Sequence, residues 1–325
     1  MPQNFAAYTA RRLVYLAITV FLILTFNFLL FRVLPGDPTD VIIQKGASPE
    51  VRERLTEYYG LDEPLFTQFV IYMRQLLSGD FGESYGYPGT DVIDMLLPAT
   101  ANTLVLVGTG TVMSIVVGVV FGRESAWRRG KATDKVLSTF SLVFYCMPTF
   151  LFALVMLMVT VNYFPSWPSH GTTSEDYTLY GPLGKTLDRL QHLLLPLIAL
   201  VIETIAVFSI ITKSSLIDVL TEDYMVTAVA KGLRGREILK RHAMPNAMLP
   251  VVTVIALNVG WVLSGSIMIE IVFTYKGLGY LTWEAVWGRD YPMLQTAFLL
   301  EIVAVLVANL IADMLLFRLD PRVKV

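Results

Sequence analysis

Four carboxylates, Glu203, Glu270, Glu301 and Asp313, sit inside or beside long uncharged stretches of the chain. A carboxylate in hydrocarbon is costly, so such side chains face the interior of a helix bundle or a water-filled path. Glu203, Glu270 and Glu301 are therefore candidates for the lining or gate of a translocation path. A hydrogen bond between helices, protonation in place, or a joint proton relay are the competing uses. Asp313, near the end of its run, reads as structural. The other reactive side chains form no catalytic set. His170, His192 and His242 are far apart and lack metal-ligand spacing. The single Cys146 lies in an apolar run, which excludes an internal disulfide or a multi-cysteine metal site and suggests a packed thiol. A phosphate-cradling loop needs Gly, four residues, then Gly-Lys-Ser/Thr. Gly130-Lys131 is followed by Ala132, and Gly184-Lys185-Thr186 has no glycine five positions before its own. These residues give no metal site, no cofactor and no nucleotide hydrolysis on this chain, so it does not read as an enzyme.

What must position the carboxylates is a set of membrane helices. Of the 325 residues, 54% are hydrophobic and only 16% charged, against roughly 25% charged in soluble domains. The apolar residues come in runs of the length a bilayer-crossing helix requires, about 20 residues. Six spans are expected: Leu13 to Phe31, a second starting near Ala99 and ending at Gly122, Val136 to Tyr163, Leu193 to Thr212, Pro250 to Val272, and Pro292 to Phe317. The net charge of −2 gives no basic bias toward nucleic acid. The first run is longer than a signal-peptide core, and Arg32-Val-Leu-Pro is not a small-residue cleavage site, so it reads as a retained helix. Gly118 and Gly122 share one face of the second span, a spacing that permits close helix contact in lipid.

Lys and Arg set the orientation. They concentrate at Arg11 and Arg12, between Arg123 and Lys135, between Lys213 and Arg241, and at Arg318, Arg322 and Lys324. The opposite loops are far poorer in them for their length. Both termini should therefore face the cytoplasm. The chain divides into a tail and first span (1–33), a long outer loop (34–98), a five-span core (99–317) and a cytoplasmic tail (318–325). In the outer loop, Ser48-Pro49-Glu50 offers a capping hydroxyl, a first-turn proline and an acid to start a helix that Gly60 ends. Pro64 begins a second amphipathic helix, with Leu65, Phe69, Tyr72, Met73 and Leu76 on one face, that stops at Gly79.

Within the core, residues 213–249 form a charged cytoplasmic island. Glu222 to Pro250 reads as a helical stretch, a break at Gly232, and a second amphipathic stretch from Arg234 to Ala247. Ala228, Ala230 and Gly232 are expected to leave an unobstructed surface at the break. The basic residues of the island can be explained by orientation or by anionic lipid; the small residues and Pro245 at its spacing cannot.

Thr227-Ala228-Val229-Ala230-Lys231-Gly232, followed by His242-Ala243-Met244-Pro245, resembles the cytoplasmic docking loop of ABC importer permeases. That family's pattern is Glu-Ala-Ala, three residues, Gly, nine residues, Ile-x-Leu-Pro. The Gly-to-Pro spacing holds with Gly232 and Pro245, whereas Val226 and His242 stand at the Glu and Ile positions. Tyr224, the Thr-Ala-x-Ala-Lys-Gly run and the His-Ala-x-x-Asn-Ala run resemble the dipeptide/oligopeptide/nickel branch. Pro35-Gly36-Asp37-Pro38, Gly60-Leu61-Asp62-Glu63-Pro64, Gly79-Asp80-Phe81-Gly82, Glu270-Ile-Val-Phe273, Gly277-Leu278-Gly279, Arg289-Asp290-Tyr291-Pro292 and Asp320-Pro321-Arg322-Val323 are similar landmarks, although Lys276 stands where the branch has proline.

The resemblance implies an all-α, six-helix type I ABC importer permease in the inner or plasma membrane. It implies a homologous second permease, two cytoplasmic ATPases that carry the ATP and magnesium, and an extracytoplasmic solute-binding protein. Tyr224, Thr227, Ala228, Ala230, Lys231, Gly232, His242 and Pro245 would form the docking loop, and Glu270 a pore or gate residue. Short peptides are the default cargo of the branch; nickel and oligosaccharides are carried by the same permease type. A proton-driven secondary transporter that used the buried carboxylates directly remains the reading of another class.

Overall fold

The computed structural model describes residues 5–33, 48–261 and 266–319. Every regular element among them is helical, and the backbone divides into two compact units. The first holds the described residues up to Thr103 and from Lys276 onward; the second runs from Leu104 to Tyr275.

In the first unit, α1 (Phe5–Val33) packs along the final helix, α13 (Tyr291–Leu319). Asn27, buried in the apolar α1, donates to the Gln295 carbonyl at 2.9 Å, and Phe31 stacks on Phe298 at 5.9 Å. Two outer helices follow, α2 (Pro49–Tyr59) and α3 (Leu65–Leu77). Pro49 opens α2, and Gly60 closes it at φ +58°, a left-handed conformation that suits glycine. The Ser48 hydroxyl does not cap the helix as expected. It is held by the Glu50 carboxylate instead, a hydrogen bond that keeps the Glu50 carboxyl below its ordinary range. Phe69 and Tyr72 of α3 meet Phe28 of α1 at 5.3 and 5.6 Å.

The second unit contains most of α4 (Val92–Trp127), then α5 (Ala132–Cys146), α6 (Thr149–Tyr163), α7 (Pro182–Leu220), the short helices α8 (Asp223–Ala230) and α9 (Gly235–Ile238), α10 (Met244–Trp261) and α11 (Ile267–Val272). The long helix α7 is its organiser, packed by α5, α6, α10 and α11. Gly118 and Gly122 let α4 reach α7 at backbone distance. A Cβ at Gly118 would lie 2.9 Å from the Ile205 carbonyl oxygen, and one at Gly122 2.5 Å from that of Ser209. The helix α12 (Leu278–Gly288) belongs to the first unit and packs on α13.

Among the described residues, four helices are long and apolar enough to cross a membrane: Thr9–Arg32, Val92–Trp127, Pro182–Leu220 and Tyr291–Leu310. The expected third span is two helices, α5 and α6, bent by 101°. Pro148 explains the break. It has no N–H to donate and forces the preceding Met147 into extended backbone (ψ 128°). The expected fifth span falls on α10 and α11, between which residues 262–265 lie outside the described set. The second span starts earlier than expected, at Val92, because Pro98 sits inside the helix without ending it. The apolar windows of these spans are only 17–44% buried within the chain, so most of their apolar surface is left for lipid or neighbouring subunits.

Overpacking the α4–α7 contact should be costly. Gly122→Leu is expected to destabilise the chain by about 1–3 kcal/mol, read as a lower melting temperature in detergent, whereas Gly108→Ala, where a Cβ meets nothing within 4 Å, should be neutral.

Candidate functional site

The loop between α7 and α10 is built as a folded structure with its own core. Thr221 ends α7, and the Glu222 carbonyl accepts the Met225 N–H at 2.9 Å to start α8, with Asp223 placed at the positive end of the helix. Met225 and Ala228 point inward and join Ala126, Leu216, Ile238, Ala243 and Ala247 in one cluster. Tyr224, Val226, Thr227, Val229 and Ala230 point outward. Val226 is 68% and Val229 63% exposed, an apolar face with no cover among the described residues.

Ala228, expected from the sequence to contribute open surface, does not. Its side chain is buried, because two inward positions three residues apart are what an eight-residue helix needs to hold itself to α7 and α10. Gly232 turns the chain at φ +75°, with its N–H bonded to the Val229 carbonyl at 2.9 Å, and a Cβ there would meet nothing within 4 Å. The glycine serves the left-handed backbone and not a close contact. Lys231 beside it is exposed.

After the turn, the chain runs through α9 and a π-helical turn (Leu239–Ala243) into α10 without a break. Pro245 gives the reason for the π turn. Its ring collides with the carbonyl four residues earlier and its missing N–H leaves that carbonyl unused, and a wider turn relieves both. His242 lies in the π turn, half-buried, and its carbonyl accepts from Asn246 Nδ2 at 2.7 Å. Pro245 is exposed. Ser215 Oγ donates to the Ala247 carbonyl at 2.8 Å and ties α10 to α7.

A polar cluster missed by sequence reasoning lies in the same unit. Lys213 of α7 contacts Asp134 Oδ1 and Ser138 Oγ of α5, each at 2.6 Å. The same carboxylate accepts from Ser125 Oγ of α4 at 2.6 Å and, through Oδ2, from the Gly130 N–H at 2.8 Å. One aspartate therefore binds α4, α5, α7 and the 128–131 turn. As a sequence feature Lys213 looked like one more orientation charge. The available signal was Asp134, one of only two acids, with Glu124, in a strongly basic loop.

Of the membrane carboxylates, Glu270 in α11 is fully buried and accepts from Ser266 Oγ at 2.6 Å. Glu203 is half-buried on α7 and has no hydrogen-bond partner among the described residues. These two belong to the second unit; Glu301, half-buried on α13, belongs to the first. The side chain of Asp313 lies outside the described set.

Residues 95–325 match the family of binding-protein-dependent transport system inner membrane components, and residues 5–90 match the family's N-terminal membrane component. The chain belongs to this family. Among curated relatives, the permease is 33% identical over 322 residues to the oligopeptide transport system permease protein AppB of Bacillus subtilis (strain 168), covering 98% of this chain and 99% of the relative. It is 34% identical to the probable peptide ABC transporter permease protein y4tP of Sinorhizobium fredii, with the same coverage. It is also 33% identical to the dipeptide transport system permease protein DppB of Escherichia coli (strain K12), over 93% of each chain. The permease is thus a non-enzymatic membrane component of a transport system.

Lys213→Met strips the cation from a carboxylate that three helices share. A loss of about 1.5–3 kcal/mol of stability is expected, and Asp134→Asn in the Lys213→Met background should cost less than the sum of the two single changes, a non-additivity that a double-mutant cycle on thermal unfolding measures.

Proposed function

We propose that the permease is one of two homologous membrane subunits of an ATP-driven importer of short peptides. The relatives named above are oligopeptide and dipeptide permeases over nearly the full length of the chain, which supports the cargo class. In this reading the chain crosses the inner membrane six times with both termini in the cytoplasm, as the distribution of Lys and Arg supports. A solute-binding protein delivers peptide from outside, and two cytoplasmic ATPases hold the ATP and magnesium and drive the cycle. Glu203, Glu270 and Glu301 are the candidate pore or gate residues of this subunit.

The observation that carries the mechanism is the exposed face of α8. Tyr224, Val226, Thr227, Val229 and Ala230 form a small apolar ridge with no cover among the described residues, and Lys231 and Gly232 follow it at a turn. An ATPase groove that takes this ridge gains a handle. Met225 and Ala228 fix α8 to α7 and α10, so closure of two ATPases moves the long helices along with the docked ridge. ATP acts as a ligand on a partner that biases a two-state membrane element.

Val229→Glu puts a charge in the centre of the proposed contact while leaving the buried face of α8 intact. Affinity purification of the permease with its partner subunits should recover the ATPases with the native chain and lose most of them with the variant, and ATP-driven dipeptide uptake in proteoliposomes should fall about tenfold or more. Unchanged recovery and uptake would remove α8 as the docking element. Uptake that persists when the ATPases are inactivated would replace the mechanism with a proton-driven one.

A further inference from the structure

The first unit carries a second candidate binding site, at α12. Helix α12 presents Tyr280, Trp283 and Trp287 along its length, with ring centroids 6.1 Å apart for the first pair and 6.4 Å for the second. Trp287 is 76% exposed, and Tyr87, from the turn that follows Gly82, is 54% exposed. Between them lies a cleft of about 290 Å³, lined by Tyr87, Trp283, Glu284, Trp287, Asp290 and Met293 among others.

The cleft is rigidly framed. Asp290 is buried and accepts from the Ser84 hydroxyl, the Tyr85 N–H at 3.1 Å, the Gly86 N–H at 2.8 Å and the Met293 N–H at 3.3 Å. That aspartate fastens the wall carrying Tyr87 to the end of α12, and its charge is consumed in doing so. Glu284 is different. Its Oε1 accepts from Tyr280 Oη at 3.1 Å, and among the described residues it has no cationic partner. Burial, and then the Glu284 carboxylate it binds, hold the Tyr280 phenol above its ordinary range, so Tyr280 stays a donor. Among the described residues no Lys or Arg lines the cleft; the nearby Arg289 is exposed, at a left-handed cap.

Aromatic faces attract cations through the ring quadrupole, and a carboxylate on the same wall adds charge complementarity. An anion would meet Glu284 and Asp290, and a neutral apolar group would leave Glu284 without use. The volume is at the lower end for a ligand pocket, so it accommodates one residue or head group and not an extended chain.

We propose that this cleft binds a primary ammonium group, and that its occupant is the amino terminus of the cargo peptide held beside the pore entrance. The proposal rests on the peptide-import reading and the orientation given above. The same ammonium chemistry is found in ethanolamine lipid head groups, and the test separates the two sources.

The assembled transporter, in nanodiscs of phosphatidylglycerol alone, is incubated with radiolabelled alanyl-alanine amide, which has an ammonium and no carboxylate, and with its N-acetyl form. Saturable binding of the free amine and none of the acetylated form is expected. Glu284→Gln, which keeps the shape of a half-buried side chain, and Trp287→Leu, at an exposed position, should each weaken binding about three- to tenfold. Equal binding of the acetylated amide, or variants that bind as the native chain does, would overturn the site. Saturable binding of radiolabelled glycerophosphoethanolamine without binding of the peptide amide would assign the cleft to lipid and overturn the cargo role. ATP-driven uptake of alanyl-alanine by the same assembly with its binding protein is scored separately. Uptake with no ammonium-dependent binding removes only this inference, whereas absence of uptake removes the peptide-import reading.

Discussion

The close approach of α4 to α7 is the constraint on which the second unit depends. Lipid tails are as apolar as leucine, so two membrane helices gain nothing from hiding apolar surface against each other. Contact must come from fit and from polar bonds. Gly118 and Gly122 supply the fit, by removing the side chains that would collide with the backbone of α7 at Ile205 and Ser209. The bonds lie on the same interface and its extension. Ser141 of α5 donates to Ser209 of α7 at 3.0 Å, and the Asp134–Lys213 pair gathers Ser125 and Ser138 around one carboxylate. With α7 held in this way, α8 and α10 have a fixed surface to pack on, and the loop between α7 and α10 is a structure and not merely a connection.

The first unit solves a related problem by different means. Its outer helices and the 82–91 turn are joined by hydrogen bonds from a few buried or half-buried side chains. Tyr59 Oη donates to the Glu83 carbonyl at 3.0 Å and accepts the Glu83 N–H at 2.9 Å, while Tyr58 Oη donates to Asp80 at 2.5 Å. Asp290 completes the attachment from the start of α13. Apolar packing alone would fix such short elements poorly, because neither an eleven-residue helix nor a ten-residue turn buries enough surface. Directed hydrogen bonds give the outer segment a defined shape, and that shape is what makes the aromatic cleft beside Glu284 a site.

Much of this was legible in the sequence because it depends on local pattern. Runs of apolar residues located the long helices, Gly60 and Gly79 marked helix ends, the Gly118–Gly122 spacing anticipated a close contact, and Gly232 placed the turn in the docking loop. What was not legible depends on partners distant in sequence. Asp134 and Lys213 are 79 positions apart, and Ser84 and Asp290 more than 200. Ala228 looked like surface because its size suits a docking face equally well; only the packing of α8 on α7 and α10 shows that it faces inward. The bend between α5 and α6 was written in Pro148, but an apolar run with an internal proline is equally consistent with a kinked span. Pro98 and Pro196 lie inside continuous helices in this same chain.

The π turn before Pro245 links local chemistry to the mechanics of the proposed docking loop. In a regular helix, each residue advances the side chains by about 100°, so widening one turn re-aims everything on one side of it relative to the other. Here the widening lies between the turn at Gly232 and the long helix α10, and it sets the direction in which α8 presents Val226 and Val229 once Ser215 has fixed α10 to α7. The distance from Gly232 to Pro245 therefore matters for a geometric reason. A residue inserted between them would rotate the exposed ridge of α8 away from the partner even though every contact residue remained. In the proposed mechanism the loop acts as a lever, and a lever transmits force only if its angle to the helices it moves is fixed by packing and hydrogen bonds.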